Sequence, residues 1–128
     1  MSAKRILVID DDRNICDIMK MALETSGYTA ETAYNPRDGM AKACSNPPDL
    51  ILLDYNMPGK DGIALLKDFR TIPDLKEVPV VMVSAISMPD IVGSALAEGV
   101  SGYLVKPFDL KTLLERVEKG LIKESSGI

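Results

Sequence analysis

Five short apolar runs alternate with segments of helical periodicity along this chain of 128 residues. Apolar runs of this length between turn signals indicate strands buried on both faces, which is typical of a parallel sheet covered by helices. The predicted strands span residues 5–9, 28–33, 49–53, 78–83 and 102–105. The predicted helices span residues 14–26, 36–44, 63–70, 88–98 and 110–122. A fivefold βα alternation predicts an α/β fold, a doubly wound parallel sheet with right-handed crossovers and the strand order 2-1-3-4-5.

The length of the chain fits one domain that is large enough to bury a core. We expect the folded domain to comprise residues 1–123. The remaining residues, 124–128, carry no apolar periodicity, and we expect them to form an unfolded tail.

Composition excludes several classes of function. The net charge of −4 argues against binding to nucleic acid or to an anionic membrane, because both need a basic surface. No apolar run approaches transmembrane length, and no signal-peptide core precedes the first strand, so we expect a cytoplasmic protein. The absence of histidine excludes a catalytic triad, a histidine-ligated zinc ion and a phosphohistidine on this chain. Cys16 and Cys44 fall in predicted helices, where we expect small buried thiols rather than a metal site or a disulfide.

Charged side chains follow three of the predicted strands. Asp10, Asp11 and Asp12 follow the first strand, Asp54 the third and Lys106 the fifth. In an open parallel sheet the ligand site lies outside the carboxyl ends of the strands, so we expect these groups to meet at one edge. Clustered carboxylates repel one another unless a cation or protons join them, and oxygen ligands favour a hard ion such as Mg²⁺. The pattern therefore indicates a metal-assisted phosphate site.

Four sequence motifs at these strand ends resemble the receiver domain of bacterial response regulators. The motifs are VIDDD at residues 8–12, LLDYNMPGKDG at 52–62, VMVSA at 81–85 and GYLVKPF at 102–108. They occur in the family's order, and the resemblance covers essentially the whole chain. It implies a flavodoxin-like fold and a phosphorylation-controlled signalling switch of a two-component system.

The resemblance also implies roles for individual residues. Asp54 would accept a phosphoryl group from a phosphohistidine on a sensor kinase or a histidine phosphotransfer protein. Asp11 and Asp54 would ligate Mg²⁺ directly, Asp10 through water, and Asn56 through its backbone carbonyl. Lys106 would pair with Asp54 or with a phosphoryl oxygen. The domain would catalyse only this transfer and a slow autodephosphorylation.

Two further residues would carry the signal in this family. Ser84 would hydrogen-bond a phosphoryl oxygen after transfer, and Tyr103 would change rotamer to fill the space that Ser84 leaves. The surface formed by the fourth helix, fifth strand and fifth helix would then change and regulate an output partner or domain. Ser84 alone would be a simple turn residue, and only its place in this set of motifs gives it a role. Tyr103 could also be an ordinary half-buried aromatic of a strand, although the family resemblance favours the switch.

Simpler interpretations apply at other positions. Aspartate is a preferred N-cap, and we expect this structural role for Asp12, which would point away from the site. Removal of Asp11 should raise stability by relieving repulsion among buried carboxylates, and Asp11→Asn should weaken Mg²⁺ binding more than Asp12→Asn. The family suggests a cis bond before Pro107, although X-Pro bonds are mostly trans.

Three other functions compete with the receiver interpretation. Asp10-x-Asp12 imitates the opening motif of haloacid-dehalogenase-type phosphatases, but Arg13-Asn14 departs from that motif and no later Gly-Asp-x-x-x-Asp segment follows. A receiver-like scaffold that works without phosphorylation would typically lose an acidic residue or the lysine. A flavodoxin-like cofactor binder would place a flavin phosphate against carboxylates, which would repel it.

Overall fold

Five parallel strands form the centre of the computed structural model, which describes residues 3–85 and 89–126 and, within these, side chains up to residue 122. The strands are β1 (Arg5–Ile9), β2 (Thr29–Ala33), β3 (Leu50–Asp54), β4 (Val80–Ser84) and β5 (Gly102–Val105). Their order in the sheet is β2-β1-β3-β4-β5, which confirms the predicted topology.

Five helices connect and follow the strands. They are α1 (Arg13–Thr25), α2 (Pro36–Ser45), α3 (Gly62–Arg70), α4 (Pro89–Ala97) and α5 (Leu110–Ser126). Polar side chains begin four of them: Asp12, Asn35, Asp61 and Asp109 each accept a hydrogen bond from a backbone N–H in the first turn. Across the described ranges 3–85 and 89–126, no helix combines the length and apolar character that a bilayer span requires.

Alternating side chains of the strands divide the core into two layers. One layer packs strand residues such as Ile9 and Leu53 against residues of α2, α3 and α4, with Phe69 of α3 fully buried. The other packs Val8 and Leu52 against α1 and α5. Because helices cover both faces, every residue of β3 and β4 is buried. The sheet therefore reaches water mainly at its ends, where ligands can approach.

Several element boundaries differ from the prediction by one or two residues. β3 and β4 include Asp54 and Ser84, because the backbone ladder continues past the last apolar residue, as the Tyr55 N–H to Val83 carbonyl bond of 2.9 Å shows. β4 begins at Val80 rather than at residue 78, since Pro79 has no N–H to donate to the ladder. Residue 88, the predicted start of the fourth helix, lies outside the described residues.

The last helix is longer than predicted. α5 continues to Ser126, so residues 124–126 are helical rather than unfolded. Once a helix has formed, each added residue gains a hydrogen bond at little cost, and the sequence carries no glycine or proline between Gly120 and Gly127 to stop it. Gly127 and Ile128 lie outside the described residues. The domain boundary at residue 123 stays a prediction.

Candidate functional site

Buried polar side chains concentrate at the carboxyl edge of the sheet. Among the described residues, the buried polar or charged ones are Asp10, Asp54 and Ser84, with exposed fractions of 1%, 3% and 0%. β1 and β3 are neighbours whose last residues align as Ile9 with Leu53, so Asp10 and Asp54 follow side by side. Burying carboxylates is costly unless they are paired or hold a cation. We therefore expect the buried carboxylates at this edge to be paired or to hold a cation.

Three carboxylates come together as the strand ends predicted. One oxygen each from Asp10, Asp11 and Asp54 lies within 4.8 Å of the other two. Asp11 is exposed, whereas the other two are buried, so the cluster opens to solvent on one side. Carboxylate oxygens in this arrangement suit a hard divalent cation.

Lys106 supplies a positive charge inside the cluster. Its Nζ donates to Asp10 Oδ2 at 2.9 Å and lies 3.4 Å from Asp54 Oδ1. The Lys106 N–H donates to the Ser84 carbonyl at 2.7 Å, which extends the β4–β5 ladder by one residue and fixes where the side chain starts. The Lys106–Pro107 bond is cis, as the family suggested. The lysine contacts both buried carboxylates, and its shorter contact is with Asp10 rather than with Asp54.

One ammonium group does not offset the repulsion between the two buried carboxylates. Burial and the charge of Asp10 raise the pKa of Asp54 from 3.8 to about 6, although Lys106 and the Asn56 N–H act in the opposite direction. Burial by itself would lower the pKa of Lys106, but the hydrogen bond to Asp10 and the charge of Asp54 raise it overall. The site is short of positive charge, which is the condition under which a carboxylate cluster binds a metal ion.

Asp10 is held in place by contacts on several sides. Its Oδ1 accepts from the Asp12 N–H at 2.9 Å, and its own N–H donates to the Ala33 carbonyl at 3.0 Å. The Cys16 thiol donates to the Asp10 carbonyl at 3.3 Å. Asp12 turns toward the helix and accepts from two N–H groups at the start of α1, which confirms its predicted role as a cap. With its orientation fixed, Asp10 can hold Lys106 steadily beside Asp54.

The two cysteines differ in their surroundings. Cys16 is fully buried, as predicted, and burial together with nearby aspartates raises its pKa to about 12. Cys44 is exposed, so the expectation of a buried thiol was wrong there. A helical period places a residue on a face but does not say how far a neighbouring element covers it, and Cys44 lies in the last turn of α2.

Ser84 and Tyr103 lie on neighbouring strands beside the carboxylates. Asp54 aligns with Val83, so Ser84 lies one residue beyond it, next to Val105 of β5. Tyr103 aligns with Met82 and packs, half-buried, against the core layer that contains α3 and α4. Ser84 thus lies on the strand next to the one that ends in Asp54, and Tyr103 lies one strand further away. Their switch roles stay predictions.

Two features of the site are not visible in the sequence. The Arg13 guanidinium carbon lies 4.4 Å from the centroid of the Tyr34 ring, and Tyr34 directly follows β2. The Gly62 backbone approaches β3 so closely that a Cβ there would lie 2.7 Å from the Asp54 carbonyl oxygen. Both depend on distances between elements. A glycine immediately after the capping Asp61 was the only sequence signal for the second.

Comparison with known proteins gives a consistent result. The family model described as response regulator receiver domain matches residues 6–118. The transcriptional regulatory protein PrrA of Mycobacterium tuberculosis is 36% identical over 98% of this chain and 53% of its own length. The DNA-binding dual master transcriptional regulator RpaA of Synechocystis is 35% identical over 97% of this chain and 51% of its own length. The chain thus spans about half the length of these curated relatives.

Solved structures cover nearly the whole chain. The chemotaxis protein CheY4 of Vibrio cholerae has a TM-score of 0.90 and 32% identity, and the match covers 94% of this chain and 100% of that one. A CheY-like receiver domain protein of Methanospirillum hungatei has a TM-score of 0.92 and 30% identity, with coverage of 99% and 100%. Fold and sequence similarity therefore agree over the same residues.

Proposed function

This chain belongs to the response regulator receiver family, and on that premise we propose that it is a switch controlled by phosphorylation of Asp54. The observation that carries the proposal is the meeting of three carboxylates within 4.8 Å with the Lys106 ammonium at the same sheet edge. The phosphoryl donor would be a phosphohistidine on a sensor kinase or a histidine phosphotransfer protein.

The cluster fits a magnesium ion. Asp10, Asp11 and Asp54 offer only oxygen ligands, and burial together with the charge of Asp10 raises the pKa of Asp54, which a bound cation would oppose. The backbone carbonyl of Asn56 would complete the protein's share of ligands. When bound, the ion supplies positive charge for the oxygens of the transferring phosphoryl group. Because Asp12 is engaged with α1, we expect Asp12→Asn to weaken Mg²⁺ binding less than Asp11→Asn.

Asp54 has the chemistry of a nucleophile for phosphoryl transfer. With a pKa of about 6, its carboxyl group is mostly ionised at pH 7. One carboxylate oxygen attacks phosphorus while the bond from phosphorus to the donor's imidazole nitrogen breaks, and that nitrogen keeps the electron pair. The products are an aspartyl phosphate and a free histidine. Lys106, which donates to Asp10 Oδ2 at 2.9 Å, would neutralise charge on the phosphoryl oxygens.

The same geometry disfavours the phosphatase alternative. A haloacid-dehalogenase-type reaction would need Asp12 as a second carboxyl group at the reacting phosphorus. Asp12 Oδ1 instead accepts from the N–H groups of Asn14 and Ile15 at 2.9 and 3.2 Å. We therefore propose that the domain catalyses only its own phosphorylation and a slow autodephosphorylation.

The signal would leave the site through Ser84 and Tyr103. Phosphoryl oxygens on Asp54 would offer hydrogen-bond acceptors that draw Ser84 inward, and Tyr103 would then fill the vacated space beside β5. The α4-β5-α5 surface would differ between the two states and regulate an output partner or domain. We expect this signalling in the cytoplasm, with no role for this domain in binding nucleic acid or membrane, since its net charge is −4.

Phosphoryl labelling tests the proposal directly. Incubation with acetyl phosphate and Mg²⁺ should add one phosphoryl group, which peptide mapping by mass spectrometry should place on Asp54. Asp54→Asn should abolish the added mass, while the exposed control Asp74→Asn should be labelled like the wild type. Unchanged stoichiometry in Asp54→Asn would exclude Asp54 as the acceptor.

A further inference from the structure

We propose that Arg13, held against the Tyr34 ring, is a positioning residue that binds the anionic phosphoryl group of the donor before transfer to Asp54. This inference rests on the proposed function of Asp54. It assigns a donor-binding role to a residue outside the carboxylate cluster and its lysine. The juxtaposition that carries it is a cation stacked on an aromatic ring at the β2 side of the carboxylates.

The Arg13–Tyr34 pair lies at the same edge of the sheet as the acidic cluster. The Asp10 N–H donates to the Ala33 carbonyl, so the residue that follows, Tyr34, emerges next to Asp10. Arg13 comes two residues after Asp11, at the first position of α1. Lys106 approaches the same carboxylates from β5, on the opposite side. Lys106 thus reaches the cluster from the β5 side, whereas Arg13 lies on its β2 side, at the start of the helix that follows Asp10 and Asp11.

The two cations differ in what they are free to do. Lys106 is half-buried and occupied by Asp10 and Asp54. Arg13 is exposed, and its described contact is with a ring face, which leaves the N–H groups at the edge of the guanidinium plane able to donate. A planar guanidinium with edge donors matches phosphoryl oxygens. Arg13 is thus equipped to receive an incoming anion, whereas Lys106 serves the carboxylates already present.

The end of α1 on which Arg13 lies does not favour a cation. A cation at a helix N-terminus is unfavourable, because the N–H groups of the first turn already carry partial positive charge. α1 nevertheless begins with Arg13 and has no acidic residue in its first turn. A position that breaks a local rule is where a functional requirement is expected. Tyr34, half-buried against the core layer of α1 and α5, provides the fixed surface that keeps the guanidinium in place.

An anionic donor gains from such a cation because the cluster, even with Mg²⁺ bound, carries no net positive charge to attract it. Asp10, Asp11 and Asp54 outweigh Lys106 by two negative charges when all are ionised, and Mg²⁺ would only balance them. A positive group at the rim raises the local concentration of an anion and shortens its search for the attacking oxygen. The effect should be electrostatic and therefore weaken as salt is added.

The test is the rate of labelling by two small donors, acetyl phosphate and phosphoramidate, over a range of NaCl concentrations with saturating Mg²⁺. Arg13→Gln should lower the second-order rate constant with both donors by about threefold at low salt, the size expected of one exposed ionic contact, and should flatten its salt dependence. Arg13→Lys keeps the charge but loses the planar edge donors, so it should keep the wild-type salt dependence and lose part of the rate. Tyr34→Phe should stay near the wild type, while Tyr34→Leu should lose part of the rate.

Lys119→Gln is the matched control, since it removes the same charge from an exposed position near the far end of α5. Its labelling rate and salt dependence should equal those of the wild type. Urea unfolding and Mg²⁺ titration of each variant separate a donor effect from a change in folding or metal affinity. If Arg13→Gln is labelled at the wild-type rate with the wild-type salt dependence, the inference is wrong, although labelling itself would still support Asp54 as acceptor. A loss with only one of the two donors would also contradict it, because both share the phosphoryl anion.

Discussion

At the scale of single residues, the sequence predicted which charged groups meet but not which of them are buried. Asp10, Asp54 and Lys106 come together because each follows a buried strand of one parallel sheet. The turn after β1 then buries Asp10 and exposes Asp11, and no periodicity predicts the geometry of such a turn. The expectation that removing Asp11 relieves buried repulsion therefore loses its basis. The repulsion between buried carboxylates is instead between Asp10 and Asp54.

We expect Asp54→Asn to stabilise the metal-free protein at neutral pH. The folded-state pKa of Asp54, about 6, lies above its ordinary value of 3.8, so ionisation opposes folding. The wild type is therefore most stable below about pH 4, and its free energy of unfolding falls as the pH rises from there through 6. The amide cannot ionise, so the variant's advantage in the free energy of unfolding should grow by about 2 kcal/mol between pH 4 and pH 7.

Urea denaturation at several pH values, without Mg²⁺, measures this difference. Asp11→Asn is the control, and its effect on the free energy of unfolding should stay within about 0.5 kcal/mol because the side chain is exposed. An advantage of Asp54→Asn that did not change with pH would show that ionisation of Asp54 is not the cause.

The two cysteines should react very differently with iodoacetamide. At pH 8 the exposed Cys44 should be alkylated in the native protein, because the thiolate is the nucleophile and water reaches it. Cys16, fully buried and with its pKa raised to about 12, should react only after unfolding. Peptide mass spectrometry before and after addition of urea checks both sites. Equal native labelling of the two would contradict the packing of α1 against the sheet.

At the scale of elements, periodicity identified every strand and helix in the described ranges, and the errors lie at element ends. A strand end depends on where backbone pairing stops, so the ladder includes Asp54 and Ser84 despite their polarity. A sequence pattern also does not predict the distances between elements. Gly62 and Gly93 both lie in helices of the structure, although the predicted third helix began only at residue 63, and of these two glycines only Gly62 lies against another element.

Alanine substitutions at these two glycines should have opposite effects. A Cβ at Gly62 would lie 2.7 Å from the Asp54 carbonyl oxygen and 2.8 Å from the Tyr55 Cα, so Gly62→Ala should destabilise by about 2 kcal/mol. A Cβ at Gly93 would meet no atom within 4 Å, and Gly93→Ala should stabilise α4 by about 0.5–1 kcal/mol. Urea denaturation of both variants gives the comparison. Destabilisation of similar size at the two positions would argue against the close approach of α3 to β3.

At the scale of the whole molecule, the strand order was predictable because few topologies satisfy five alternating strands and helices with right-handed crossovers. The path from Asp54 to the output face was open to prediction only through family resemblance. Two observations support this proposed path: Ser84 is fully buried one residue beyond the partner of Asp54, and Tyr103 packs against the layer that includes α4. Such a path depends on side-chain packing across three strands, which no single segment encodes.

Amide chemical shifts with and without beryllofluoride, a mimic of the phosphoryl group, test the central claim that charge at Asp54 changes a distant surface. With Mg²⁺ present, we expect shifts at Ala95 of α4, Tyr103 of β5 and Leu113 of α5, in addition to those around Asp54. Ser84→Ala should still bind beryllofluoride at Asp54 but show smaller shifts at the three distant residues. Shifts confined to the loops around Asp54, with Ala95, Tyr103 and Leu113 unmoved in the wild type, would contradict the proposed switch.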